Sequence, residues 1–107
     1  MQGFLHFMGM AFFIYILYSP SSDKYYVGHS EDPIKRLSEH NFGTLHKSTT
    51  PGRPWELKAI FKIEGNRGDA LKMELFIKKQ KSRKLIEKLI DPHIKPSGFL
   101  AQLVRVL

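Results

Sequence analysis

The chain has 107 residues, enough for one hydrophobic core and one domain, and at this size it buries roughly two-thirds of its unfolded surface. It contains no cysteine, which excludes disulfides, thiolate metal sites and a cysteine nucleophile, and agrees with a reducing cytoplasm. The formal net charge of +7 favours polyanionic partners such as nucleic acid or an anionic membrane.

From Phe4 to Leu17 the chain is almost wholly apolar, interrupted at His6. A membrane span needs about 18 or more apolar residues, and a secretory leader places basic residues ahead of its apolar run. No Lys or Arg precedes Lys24, and no small-residue cleavage site follows. The run therefore reads as a buried strand with an apolar lead-in over 1–11, in a cytoplasmic protein without membrane association; Met8 and Met10 are alternative starts.

Phe12 to Tyr18 is aromatic and β-branched and predicts a strand. Ser19-Pro20-Ser21-Ser22-Asp23 is turn chemistry, so Tyr25 to Gly28 completes a hairpin. Asp32 is placed to cap a helix whose first position is Pro33 and whose end is Gly43. Gly43 to Pro54 predicts a long loop with a functional role, and Trp55 to Ile63 a third strand. Asn66, with Asp69 three residues on, caps a helix reaching about Gln80; Ser82 caps another reaching about Ile90. Pro92 and Pro96 break the pattern, and the tail Phe99 to Leu107 is apolar enough to pack back on the core. These elements predict an α/β domain, a small three-stranded sheet flanked by helices in the order β-β-α-β-α-α, with a core over 12–90 and a tail over 91–107.

Glu74 is the most informative residue. At 100° per residue Ala70, Met73 and Ile77 share one face, Leu71 extends it, and Glu74 falls inside the arc. A carboxylate on a buried stripe must be paired, protonated or bound to metal. The plainer reading is an ion pair with Lys78 one turn on. Arg36 and His40 project together from the first predicted helix, with Ile34 and Leu37 marking the neighbouring core side. That pair suits a phosphate to be held and a proton to be moved, or else two solvated residues balanced by Glu39. All four tyrosines, Tyr15, Tyr18, Tyr25 and Tyr26, lie in the first hairpin, and one of Tyr25 and Tyr26 must face away from the core.

Ile14-Tyr15, then Tyr26-Val27-Gly28, then Arg36 with His40, then Glu74, resemble in order and spacing the GIY-YIG nuclease superfamily. The strings Lys35 to Asn41, Lys47-Ser48-Thr49, Arg53 to Leu57 and Ala70 to Ser82 are similar to its small stand-alone bacterial members. The resemblance covers about 12–90 and implies a metal-dependent endonuclease that hydrolyses phosphodiester bonds in DNA, structure-selective or weakly specific, serving repair or recombination. It implies Glu74 as the ligand of one Mg²⁺ or Mn²⁺, and Tyr15 and Tyr26 as the two phenols that meet in the site, one of which handles the attacking water's proton. Arg36 matches the arginine on the scissile phosphate, and His40 a position that assists proton transfer. Arg36 and the metal would favour a phenolate.

The chain departs from the pattern at three places. Phe13 stands for the first motif's Gly, no Asn follows Asn66, and His29 follows the second motif where a small or neutral residue is expected; it reads as an exposed polar loop residue, with a substrate contact as the alternative. From Arg67 to Lys88 there are eight Lys or Arg against three Asp or Glu. Lys78, Lys79, Lys81, Arg83 and Lys84, extended by Lys47 and Arg53, form the expected phosphate track, DNA before RNA; a solvated basic helix is the plainer reading. A protein partner or homodimer would then supply specificity. The alternative function is a nucleic-acid-binding module without turnover.

Overall fold

The computed structural model describes residues 11–107, so the predicted apolar lead-in up to Met10 lies outside the described residues. Three strands, β1 (Phe12–Ser19), β2 (Lys24–Ser30) and β3 (Glu56–Ile63), and three helices, α1 (Pro33–Phe42), α2 (Arg67–Lys79) and α3 (Arg83–Ile90), follow the predicted order. The sheet has a fourth strand, β4 (Val104–Arg105), and runs β2-β1-β3-β4 with every pair antiparallel. The three-stranded expectation is corrected on this point. A two-residue strand carries no periodicity to read, and β4 exists because β3 offers it an edge. The tail extends this pairing, with Val106 N–H donating to the Ile60 carbonyl at 2.8 Å. Arg105 lies over the Phe61 ring and donates to the Leu89 carbonyl, fastening the tail to α3.

β1 is central and covered on both faces, which is why it reads as an unbroken apolar run rather than an alternation. Phe13, Tyr15 and Leu17 pack with Trp55 and Ile60 on the α1 side. Ile14 and Ile16 join Val27, Phe61, Ala70, Met73 and Ile77 on the α2 and α3 side. Each fully buried Leu or Ile contributes about 1.5–3 kcal/mol, so two half-cores of this kind can hold a small sheet between helices.

The caps stand where the sequence put them. Asp32 accepts from Lys35 N–H and Ser82 from Leu85 N–H, and Asn66 and Asp69 form a reciprocal capping box. Each such cap stabilises its helix by about 1 kcal/mol. Gly43 ends α1 in extended backbone, where a Cβ would meet the Glu39 carbonyl oxygen at 2.7 Å. Two expected core positions turn outward: Ile34 and Leu71 are exposed. The loop Gly43 to Pro54 is not wholly irregular, for Lys47–Gly52 forms a 3-10 turn. Neither Tyr25 nor Tyr26 is free, because the sheet is covered on both sides. Tyr26 packs against His40 and Trp55, Tyr25 against Tyr18 under Arg83.

Candidate active site

β2 is an edge strand, so side chains from both faces of the sheet can meet around it. A pocket of about 270 Å³ opens there, with Tyr15, Tyr26, His29, Arg36 and Glu74 on its walls. Four of the five side chains predicted for catalysis line it, and the fifth, His40, lies directly behind Tyr15, fully buried.

Tyr15, His40 and Thr49 form one hydrogen-bonded chain. A threonine hydroxyl has a single proton, and Thr49 donates it to the His46 carbonyl at 2.9 Å. Its oxygen therefore accepts from His40 Nδ1–H at 2.9 Å. His40 Nε2 is then the bare nitrogen, and the Tyr15 hydroxyl donates to it at 3.0 Å. Burial first, then the proximity of His46 and Arg36, lowers His40 to about 4, so the ring is neutral at neutral pH. Burial above all, then Tyr26, pushes the Tyr15 phenol well above its ordinary value, and Arg36 only partly offsets this. Arg36 thus acts on Tyr15 in the expected direction, but in the resting protein desolvation outweighs one guanidinium.

His40 makes stability pH-dependent. Its folded value lies below the ordinary 6.5, so the unfolded chain binds the extra proton first. The stabilisation is complete above pH 6.5 and is lost as pH falls towards 4, amounting to on the order of 3 kcal/mol at about 1.4 kcal/mol per pH unit. In urea melts of wild type and His40→Gln, the gap between the two proteins should narrow over this interval. A gap constant with pH would rule the effect out.

Glu74 is 12% exposed. Its Oε1 accepts from His29 Nδ1 at 2.7 Å and its Oε2 from Lys78 Nζ at 2.6 Å. The ion pair with Lys78 is thus formed, yet the carboxylate is also held inward by His29, which is a β2 residue at 18% exposure and not a loop residue. Arg36 NH1 donates to Glu39 at 2.7 Å while the guanidinium stays partly open to the pocket. Burial opposes ionisation of Glu39, but Arg36 and then His46 outweigh it and hold the carboxyl below its usual range.

A divalent cation fits this donor set in one way. Among the described residues no three His, Asp or Glu side chains gather to hold a metal. Mg²⁺ commonly binds through one or two carboxylates, completing its octahedron with water and phosphate oxygens. Glu74 supplies such a carboxylate on the pocket wall, and each of its oxygens keeps a second lone pair.

A family model for the GIY-YIG catalytic domain matches residues 11–88. The chain belongs to the GIY-YIG family. It is also similar to "Structure-specific endonuclease subunit SLX1" of Meyerozyma guilliermondii, 39% identical over 66 residues. That alignment covers 57% of this chain and 22% of that protein, so the chain spans about a fifth of the relative's length. The narrower expectation of a stand-alone bacterial type is finer than either match carries.

In this GIY-YIG domain the second motif's glycine has a steric task. Gly28 pairs with Tyr15 across the strands, and a Cβ there would lie 2.5 Å from the Tyr15 Cζ and hydroxyl oxygen. Gly28→Ala must push the ring off His40, at a cost of about 1–3 kcal/mol. Thermal melts should show that loss together with a fall in cleavage of at least about 10²-fold, since a 1 Å misplacement suffices for that. Unchanged melting and activity would refute the close fit.

The predicted nucleic-acid residues divide. Lys47, Lys79, Lys81 and Lys84 are exposed and form no ion pair among the described residues. Lys78 is tied to Glu74, and Arg83 bridges Asp23 and Glu87. Arg53 turns inward, its Nε and one terminal nitrogen donating to the carbonyls of His40, Glu39 and Gly43, so it clamps the end of α1. His29 and Thr49 escaped the sequence reading as site residues. For His29 the signal was there: it shares a strand face with Tyr25 and Val27. For Thr49 the family string Lys47-Ser48-Thr49 marked the position but not its role, which depends on the loop folding back on His40.

Proposed function

We propose that this chain is a metal-dependent endonuclease domain that cleaves phosphodiester bonds in DNA, selecting structure more than sequence. The observation that carries it is the convergence of Tyr15, Tyr26, Arg36 and Glu74 on one pocket in a GIY-YIG chain. Phosphodiester hydrolysis needs the phosphate charge held, a water deprotonated and the leaving oxygen stabilised. Arg36, aimed by Glu39, holds the charge. Tyr15 takes the water's proton while passing its own to His40 Nε2, so a free phenolate never has to form. Thr49 keeps Nε2 bare for that transfer. Tyr26 lines the same pocket beside Tyr15, where its hydroxyl can orient the water. Glu74 would hold one Mg²⁺ or Mn²⁺, which when bound stabilises the charge that develops on the phosphate oxygens.

The relative is named a structure-specific endonuclease subunit. By analogy, a branched DNA substrate and a partner protein are the reading favoured here. A second reading, a nucleic-acid-binding domain without turnover, is favoured by one observation: both Glu74 oxygens already carry partners. Purified protein incubated with branched and linear DNA, with Mg²⁺ or with chelator, separates the two. Metal-dependent nicking of branched DNA is the expected result. Binding without nicking under every divalent metal leaves the second reading.

A further inference from the structure

A second cavity of about 460 Å³ lies between β2 and the corner joining α2 to α3. Val27, Ile77 and Ile86 form its apolar floor, Tyr25 one wall, and Lys24 and Lys81 its charged rim. It adjoins the catalytic pocket: Tyr26 lines both, and Lys78, on this cavity's wall, reaches the catalytic Glu74.

A dimple at a helix corner ordinarily pairs its cations or fills with side chains. Here Lys24 and Lys81 have no acidic partner among the described residues, and the cavity's one acid, Asp23, is engaged by Arg83 and Tyr18. Arg83, held by Asp23 and Glu87, lies 5.1 Å over the Tyr25 ring, making a fixed cationic and aromatic platform. Among the described residues, the two non-glycines with left-handed backbone, Asp23 (φ 54°) and Lys81 (φ 49°), both line this cavity. Asp23 adopts it in the hairpin turn and Lys81 just past the end of α2, where a left-handed residue commonly closes a helix.

Two unpaired ammonium groups beside a flat platform and an apolar floor suit one nucleotide: phosphate on the lysines, base and sugar inside. The volume falls within the roughly 300–1,000 Å³ typical of small-ligand sites. A base paired in a duplex cannot enter; an unpaired one can stack on an aromatic or guanidinium face. We propose that this groove is a subsite for an unpaired nucleotide next to the scissile phosphate. Resting on the nuclease reading, it gives a domain of this size a physical basis for preferring a cut beside single-stranded DNA.

The test is anisotropy with a short labelled single-stranded oligothymidylate in chelator, with a hairpin duplex for comparison. Lys24→Glu/Lys81→Glu should weaken single-strand binding by at least about tenfold, and its salt slope should fall by about 1.4 for two lost phosphate contacts. Tyr25→Ala should lose about fivefold or more and Tyr25→Phe should not, because the ring that supports the Arg83 guanidinium survives. Lys81→Gly should bind more weakly yet melt higher, since glycine relieves the left-handed backbone, and this separates binding from folding. Wild-type affinity in the double lysine variant overturns the subsite. Cleavage assays on the same proteins keep the two readings apart. Cutting by wild type with normal binding by the variants refutes the groove alone; weakened variants of a protein that never cuts uphold the groove and refute the nuclease.

Discussion

Glu74→Ala is expected to lower single-turnover cleavage by on the order of 10³-fold while the domain stays folded and still binds DNA. A bound cation that stabilises developing phosphate charge supplies several kcal/mol, and each 1.36 kcal/mol is tenfold in rate. The cost to the fold is small. The carboxylate's partners, His29 at 18% and Lys78 at 42% exposure, can both turn to water when it is removed. The loss should stay within about 1 kcal/mol. Removing a negative charge from a basic chain also favours a polyanion, so affinity should hold or rise. This combination separates a metal-binding role from a purely structural one, which would lower melting temperature, affinity and rate together. Cleavage within tenfold of wild type would sink the assignment. Glu74→Gln is the companion variant, keeping shape and one acceptor oxygen for either His29 or Lys78 while removing the charge.

Tyr15→Phe is expected to cost about 10²–10⁴-fold in rate, the usual contribution of a positioned proton-transfer group. Unlike Glu74, Tyr15 is buried, so this substitution also reports on stability. Removing the hydroxyl leaves the bare His40 Nε2 without a donor in a fully buried position, which costs about 1–3 kcal/mol. Urea unfolding at neutral pH measures the second effect and single-turnover rates the first. If Tyr15→Phe cuts at the wild-type rate, the water's proton leaves by another route and the Tyr15–His40 chain is only packing. Loss of rate with no change in stability would show that the chain forms only with substrate.

How much was legible beforehand follows from the range of the interactions. The three helix caps are bonds between residues three apart, so Asp32, Asn66 and Ser82 could be named without tertiary information. The inward face of α2 follows from helical geometry alone, with Ala70, Met73 and Ile77 buried and Glu74 at their margin. The family resemblance was legible too, because its motifs are contiguous in sequence.

Contacts between distant residues were not legible. His29 meets Glu74 across 45 positions, and β4 pairs with β3 from the far end of the chain. The inward turn of Arg53 and the proton on His40 Nδ1 depend on how one irregular loop folds back on α1. The sequence by itself determined the elements, their ends and the chemical groups available, since these rest on local hydrogen bonds and side-chain periodicity. Only the tertiary structure decided which groups are desolvated and which nitrogen is bare. Burial and hydrogen-bond direction are properties of the packed surroundings, and for Tyr15 they reversed the ionisation that its charged neighbour alone would favour.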